Sequence, residues 1–369
     1  MRFQLWKKKT DLVFLGITLG LVVFGLVVLS SASGPLGYSN YKDSFYFVKH
    51  QILYGVIPGL ILLFIMLRIP YRFWRKFALP LLGVGLLLLL AVFIPGIGAD
   101  FGTARSWIDI GGFTLQPAEI VKLTFLFYLA AWLESRGEEG ARDFRTGLIP
   151  FLIVLGLIMG LLLLQPDLGS MAIIVFEALA VYFVAGSSIK HLIGIGLGGV
   201  ALLWAMIKVA PYRAARLTTF LHPELDPQGI GYHINQALLA VGSGGFWGLG
   251  FGHSRQKFQY LPEVQGDSIY AIMAEELGFI ISAALIIMFL VFLWRGLKII
   301  NEAPDAFGKF VGIGILSWIV FQAFVNIGAM IGLVPITGVP LPFISFGGTA
   351  MFVNLAAVGV LLNISSQNR

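Results

Sequence analysis

Asp267 closes the stretch Tyr260-Leu-Pro-Glu-Val-Gln-Gly-Asp267, just before a long apolar run that starts at Ser268. A carboxylate beside hydrocarbon is costly unless it is paired or in use. In use, it is a general base at the mouth of a cavity. The competing reading makes it an N-cap or first-turn acid of the helix that follows. Glu263 lies four residues earlier, and Glu275 and Glu276 lie about 12 Å deeper at ~1.5 Å rise per residue. Three acids at one helix end point to a polar interior; the alternative for the Glu pair is an interhelical ion pair. Glu119 and Lys122 are three residues apart and share a helix face after Pro117. Lys opposes the helix dipole there, so it needs either an ion pair or an anionic ligand. Arg105, in Gly102-Thr-Ala-Arg-Ser-Trp-Ile108, is either an interfacial anchor or a fork for phosphate. Arg213, Arg216, Arg255 and Lys257 add positive charge to the same side, suited to an anionic headgroup.

The elements that must position these groups are membrane helices. Hydrophobic residues make up 58% of the 369-residue chain and charged residues 12%, against roughly 25% charged in soluble domains. There is no cysteine and only five His, which excludes disulfides and thiolate metal sites. The net charge of +6 is explained by topology without nucleic acid. About ten spans of roughly 20 residues fit the apolar runs: 11–31, 48–69, 77–94, 118–134, 147–164, 168–186, 189–208, 268–294, 309–333 and 348–364. The first is read as a retained span after a basic Met1–Thr10, not as a signal peptide. Lys and Arg asymmetry places both termini in the cytoplasm. The expected fold is an all-α integral membrane protein, one polytopic domain over 1–369. A large extracytoplasmic loop, about 209–267, precedes the eighth helix.

Segments 95–117 and 333–347 also face outward. Pro335 to Gly348 mixes Pro, Gly and apolar residues and reads as a re-entrant or cavity-lining element, which must be buried in protein or wetted. The glycine-dense Gly242 to Gly252 allows close backbone approach. Gly242-Ser-Gly-Gly245 lacks the strand–helix context of a nucleotide loop. Pro166-Asp167 reads as a turn in which Asp167 caps the next helix.

Taken in order, these motifs resemble the SEDS family, the FtsW/RodA group. They are Gly102 to Ile108, Gln116-Pro-Ala-Glu-Ile-Val-Lys122, Gln165-Pro-Asp-Leu-Gly169, Asp226-Pro-Gln-Gly-Ile-Gly-Tyr232, Gly242 to Gly245, His253 to Glu263, Asp267 with Ala274-Glu-Glu-Leu-Gly278, and Pro340-Leu-Pro-Phe-Ile-Ser-Phe-Gly-Gly348. Ser254-Arg-Gln-Lys-Phe258 looks like the division branch, FtsW; Pro340 is more usual in the elongation branch, RodA. Gln265-Gly266 stands where the family has His-Thr.

The resemblance implies a peptidoglycan glycosyltransferase in the bacterial cytoplasmic membrane, with its site facing outward. It would act on lipid II with inversion, and Asp267 would be the catalytic base. Arg105 and Lys122 would bind pyrophosphate, with Glu119 orienting Lys122. Arg213, Arg216, Arg255, Lys257, Glu263, Glu275 and Ser345 complete the expected substrate-binding set. No cofactor is required; a divalent cation, Mg²⁺ or Mn²⁺, would be held with the substrate pyrophosphate. The implied partners are a class B penicillin-binding protein, a transpeptidase, and other division or elongation membrane proteins. A lipid II flippase is the competing class, since intramembrane charge is expected there too. A scaffold that only recruits the transpeptidase is a third.

Overall fold

The computed structural model describes residues 10–101, 104–111, 113–209, 220 and 229–367. Each of the ten apolar runs coincides with a helix. They are α1 (Leu12–Ala32), α3 (Tyr46–Arg68), α4 (Ala78–Ala91), α5 (Pro117–Arg142), α6 (Phe144–Leu164), α7 (Leu168–Val184), α8 (Ile189–Val209), α10 (Ile269–Asn301), α11 (Ala306–Met330) and α12 (Gly348–Gln367). Among the described residues, three more helices lie between runs: α2 (Gly34–Tyr41), a five-residue turn of helix at Arg72–Lys76, and α9 (Ile230–Ser243). Six of the ten, α1, α3, α6, α10, α11 and α12, are long and apolar enough to cross a membrane by themselves.

The bundle is built around its last two helices. In α12, 89% of the most apolar window is buried, and in α11 72%, against 28–39% for α1, α3, α6 and α10. An apolar helix that keeps most of its surface open needs lipid around it. The close fit of α12 on α3 uses small residues. A Cβ at Gly59 would lie 2.6 Å from Leu355 Cδ1, and one at Gly359 would lie 2.6 Å from the Leu63 carbonyl. Gly55 and Gly59 are four apart, the spacing that lets membrane helices approach closely.

Two features depart from an all-helical reading of the outer segments. Three short strands form an antiparallel sheet in the order β1 (Gly98–Phe101), β2 (Ala104–Ile110), β3 (Phe113–Leu115). Pairing sets Ala99 opposite Trp107 and Asp109 opposite Thr114. The two-residue period of a strand is visible in β2, where Ser106 and Ile108 are buried and Asp109 is exposed. The expected 209–267 loop is likewise interrupted by α9. The 335–347 segment is irregular, as its Pro and Gly content requires. It is buried in protein: Leu341, Phe343, Ile344 and Ser345 have little exposure.

Candidate functional site

Asp267 sits one residue before the N-cap of α10, a position held by Ser268. It is 9% exposed. Its carboxyl is pushed up to about 7, first by burial and second by the nearby charge of Glu263, with a hydrogen bond from Ser268 working against both. A carboxylate poised near neutral pH in a tight site is what a general base needs.

The loop that presents Asp267 is clamped from two sides. Asn326 of α11 donates to the Asp267 carbonyl at 2.8 Å and to the Val339 carbonyl at 2.9 Å. Ser345 donates to the Gly266 carbonyl at 2.7 Å and accepts from the Leu341 amide at 2.8 Å. The Phe346 amide donates to the Gln265 carbonyl at 2.8 Å. Gln51 of α3 holds the far end of the same segment through Ser345 O and the Gly347 amide. Ser345, expected to bind substrate, has its hydroxyl engaged in fixing the backbone beside Asp267.

The second polar centre is Lys122. Its Nζ lies 2.7 Å from Glu119 Oε2, as an ion pair without an aligned hydrogen bond, and it donates to Gln322 Oε1 at 2.8 Å. It also stands 5.7 Å from the Trp318 ring centre. Lys122, Glu119 and Gln322 are all buried. Gln322 in turn donates to the Pro340 carbonyl at 2.8 Å. Gln322 and Asn326 are one turn apart on α11. One helix face therefore ties the Lys122 centre and the Asp267 loop to the same 339–345 segment. Glu177 is fully buried near this centre, and neither of its oxygens has a hydrogen-bond partner.

Glu275 and Glu276 belong to a third cluster. Glu276 pairs with Lys257 at 2.7 Å and accepts from Ser31 of α1. Lys257 also donates to Ser31 Oγ and to the Gly252 carbonyl. Glu275 accepts from the Ser254 hydroxyl and from the Arg255 and Gln256 amides. Glu275, Glu276 and Lys257 thus fasten the 244–257 loop to α10, and their polar atoms are engaged there. The loop also enters the helix itself at Gly278 (φ 74°). The Leu249 and Gly250 amides bond to the Glu275 and Glu276 carbonyls, and the Phe279 amide bonds to Gly245 O. A Cβ at Gly248 would stand 2.1 Å from the Glu276 carbonyl oxygen.

Arg255 and Glu263 are exposed. Arg213 and Arg216 lie outside the described residues, as does the side chain of Arg105. Asp167 caps α7 through Ser170 N at 2.9 Å, the turn reading given above. Gln51, Gln322, Asn326, Ser268 and His233 were not among the expected site residues. A signal existed for two of them: Gln322 and Asn326 are amides in an apolar span, which are expensive without a partner. Among the described residues, no three His, Asp or Glu converge on a metal-sized point.

A multi-pass helical membrane protein with a clamped, buried carboxylate at one helix end is the class these features define. Residues 11–369 match the FtsW/RodA/SpoVE family model, described as a cell cycle protein, and the chain belongs to that family. It is 42% identical over 363 residues to stage V sporulation protein E of Bacillus subtilis, covering 98% of this chain and 99% of that one. It is 38% identical over 356 residues to a probable peptidoglycan glycosyltransferase FtsW of Trichlorobacter lovleyi, covering 96% and 93%. A chain from a solved peptidoglycan synthase complex, described as coordinating polymerization and crosslinking, superposes with a TM-score of 0.80 at 28% identity over 96% and 97% of the two chains. The rod shape determining protein RodA of Thermus thermophilus superposes at 0.72 with 27% identity over 97% of each.

Proposed function

We propose that this peptidoglycan glycosyltransferase polymerises lipid II, the polyprenyl-pyrophosphate-linked disaccharide-peptide, with Asp267 as general base. The observation that carries the reading is the clamped, buried Asp267 with its raised carboxyl. Asp267 takes the proton from the acceptor's 4-hydroxyl as that oxygen bonds to the donor's anomeric carbon. The pyrophosphate leaves with its electron pair. It needs its charge stabilised more than it needs an acid, so one carboxylate suffices where glycoside hydrolysis generally uses two. Attack from the opposite face inverts the centre, giving a β-1,4 strand from an α-linked donor.

Arg105 and Arg255 are proposed to hold the pyrophosphate from outside. Lys122 supplies fixed positive charge beneath, preorganised by Glu119 and Gln322. A divalent cation fits this donor set only with most of its ligands drawn from phosphate; bound there, it would neutralise charge on the leaving group. The site is proposed to face outward from the cytoplasmic membrane, in about ten spans. A class B penicillin-binding protein is the proposed partner, in keeping with the polymerization and crosslinking that the superposing synthase complex coordinates. Identities of 37–39% to proteins named FtsW and 42% to stage V sporulation protein E, against 26–27% to RodA, favour the division and sporulation branches over elongation.

The test is polymerisation of purified lipid II in detergent by the full chain, alone and with its transpeptidase partner. Detergent offers no two compartments, so glycan product excludes a pure flippase or scaffold. A folded Asp267→Ala protein that still makes glycan at the wild-type rate would overturn the base assignment.

A further inference from the structure

If Asp267 is the base, it collects one proton per sugar added. That proton must leave a carboxyl that is almost wholly buried before the next turnover. Among the described residues, a hydrogen-bonded pair of side chains leads away from the carboxylate. Ser268 Oγ is 3.4 Å from Asp267 Oδ1 and 2.7 Å from His233 Nε2. Ser268 is fully buried, whereas His233, on the first turns of α9, is only half-buried. The three side chains step from the buried carboxylate towards the surface.

Ser268 is unusual for its position. A serine at an N-cap normally turns its oxygen back to accept from the helix amides two or three residues on. Here it makes no such bond to α10. Its hydroxyl instead lies between a carboxylate and an imidazole. A hydroxyl can accept one proton while giving up another, which makes it a connector between the two. The imidazole comes from α9, a separate element. The chain has Gln265-Gly266 directly before Asp267, so those neighbours contribute none.

We propose that Ser268 and His233 form the path by which the proton leaves Asp267. After transfer, Asp267 holds the acceptor's proton on Oδ1. That proton passes to Ser268 Oγ as the serine's own hydroxyl proton passes to Nε2 of neutral His233. Asp267 is again a carboxylate, and the imidazolium releases a proton to water. The serine hydroxyl then turns back. No oxidant or co-reactant is consumed. Both residues act through Asp267, so they set the turnover rate and not substrate affinity. The proposal rests on Asp267 being the base.

The test uses full-length protein with its transpeptidase partner and purified lipid II. Ser268→Ala and His233→Ala should each lower kcat by about tenfold, less than the roughly 10²–10⁴ of losing the base itself, with KM changed less than about twofold. Two groups on one path should fail together, so the double variant should be no slower than the slower single variant. Ser268→Thr, which keeps the hydroxyl, should recover most of the rate. Added imidazole should raise the rate of His233→Ala but not of Ser268→Ala. Wild-type kcat in both single variants, additive losses, or a loss expressed only in KM would each overturn the relay. His233→Gln, which fills the space without an imidazole, replaces His233→Ala if the latter is not monodisperse. Asp267→Asn in the same series separates the two ideas. If it polymerises normally, the base reading fails; if it is inactive while Ser268→Ala and His233→Ala are normal, only the relay fails.

Discussion

Replacing Asp267 by Asn should cost activity and gain stability, and the gain should depend on pH. The side chain keeps its size and loses its charge. In the fold the carboxyl titrates near 7 instead of the ordinary 3.8, through burial and Glu263. At 1.36 kcal/mol per pKa step, that gap corresponds to about 4 kcal/mol for keeping the ionised form inside the fold. The unfolded chain ionises Asp267 near 3.8, and the folded chain only near 7. Wild-type stability from this group is therefore full below about pH 4, declines between about 4 and 7, and stays low above. Asn has no such decline. The stability advantage of Asp267→Asn should be near zero at pH 4 and reach several kcal/mol, up to about 4, at pH 8. Activity moves the opposite way: loss of a general base costs about 10²–10⁴ in rate, or roughly 3–5 kcal/mol of barrier. Thermal unfolding of the detergent-purified protein at both pH values, beside lipid II polymerisation, measures the two effects. An Asn variant less stable than wild type at pH 8, or one that polymerises at the wild-type rate, would refute the reasoning.

The remaining expectations follow from the same contacts. For wild type, kcat/KM should fall as pH drops through about 7, where Asp267 gains its proton; a flat profile from pH 5 to 8 would separate Asp267 from the base role. Lys122→Met strands the buried Glu119 carboxylate and should destabilise by about 3–5 kcal/mol. Adding Glu119→Gln should restore stability without restoring glycan synthesis, and recovery of both would confine Lys122 to structure. Ser345→Ala frees the Gly266 carbonyl beside the base and should lower kcat by about tenfold in a folded protein; unchanged kcat argues that Asn326 and the Phe346 amide suffice. Gly248→Ala meets the Glu276 carbonyl at 2.1 Å in a positive-φ position (φ 81°), so it should unseat the 244–257 loop and cost about 1–3 kcal/mol or more.

What the sequence revealed of this molecule was local. Apolar runs of about 20 residues mark membrane helices without any knowledge of neighbours. Glu119 and Lys122 declare a common face by spacing alone, and Asp167 declares a cap. Asp267 stood out because charge beside hydrocarbon is rare. What remained hidden was pairing across the chain. Ser31 meets Glu276 across 245 residues, Gln51 meets Ser345 O across 294, and Lys122 meets Gln322 across 200. No periodicity encodes such partners. Lys257 and Glu275 read as outward-facing ligand groups because the Gly278 break, which lets the loop enter the helix, has no signature beyond a glycine. The sheet at 98–115 escaped because its strands are short.

The burial of α12 also has a consequence for how the molecule is made. This helix fills the centre of the bundle, yet it is made after every other described helix. At about 5–20 residues per second, a ribosome needs roughly 20–70 s to reach the end of 369 residues. Through most of that interval, Gly55 and Gly59 of α3 lack the surface they are shaped to meet. The segment clamping Asp267 leads directly into α12. The earlier helices must therefore wait in the membrane as a loose assembly, and the site takes its working shape only once α12 has been made.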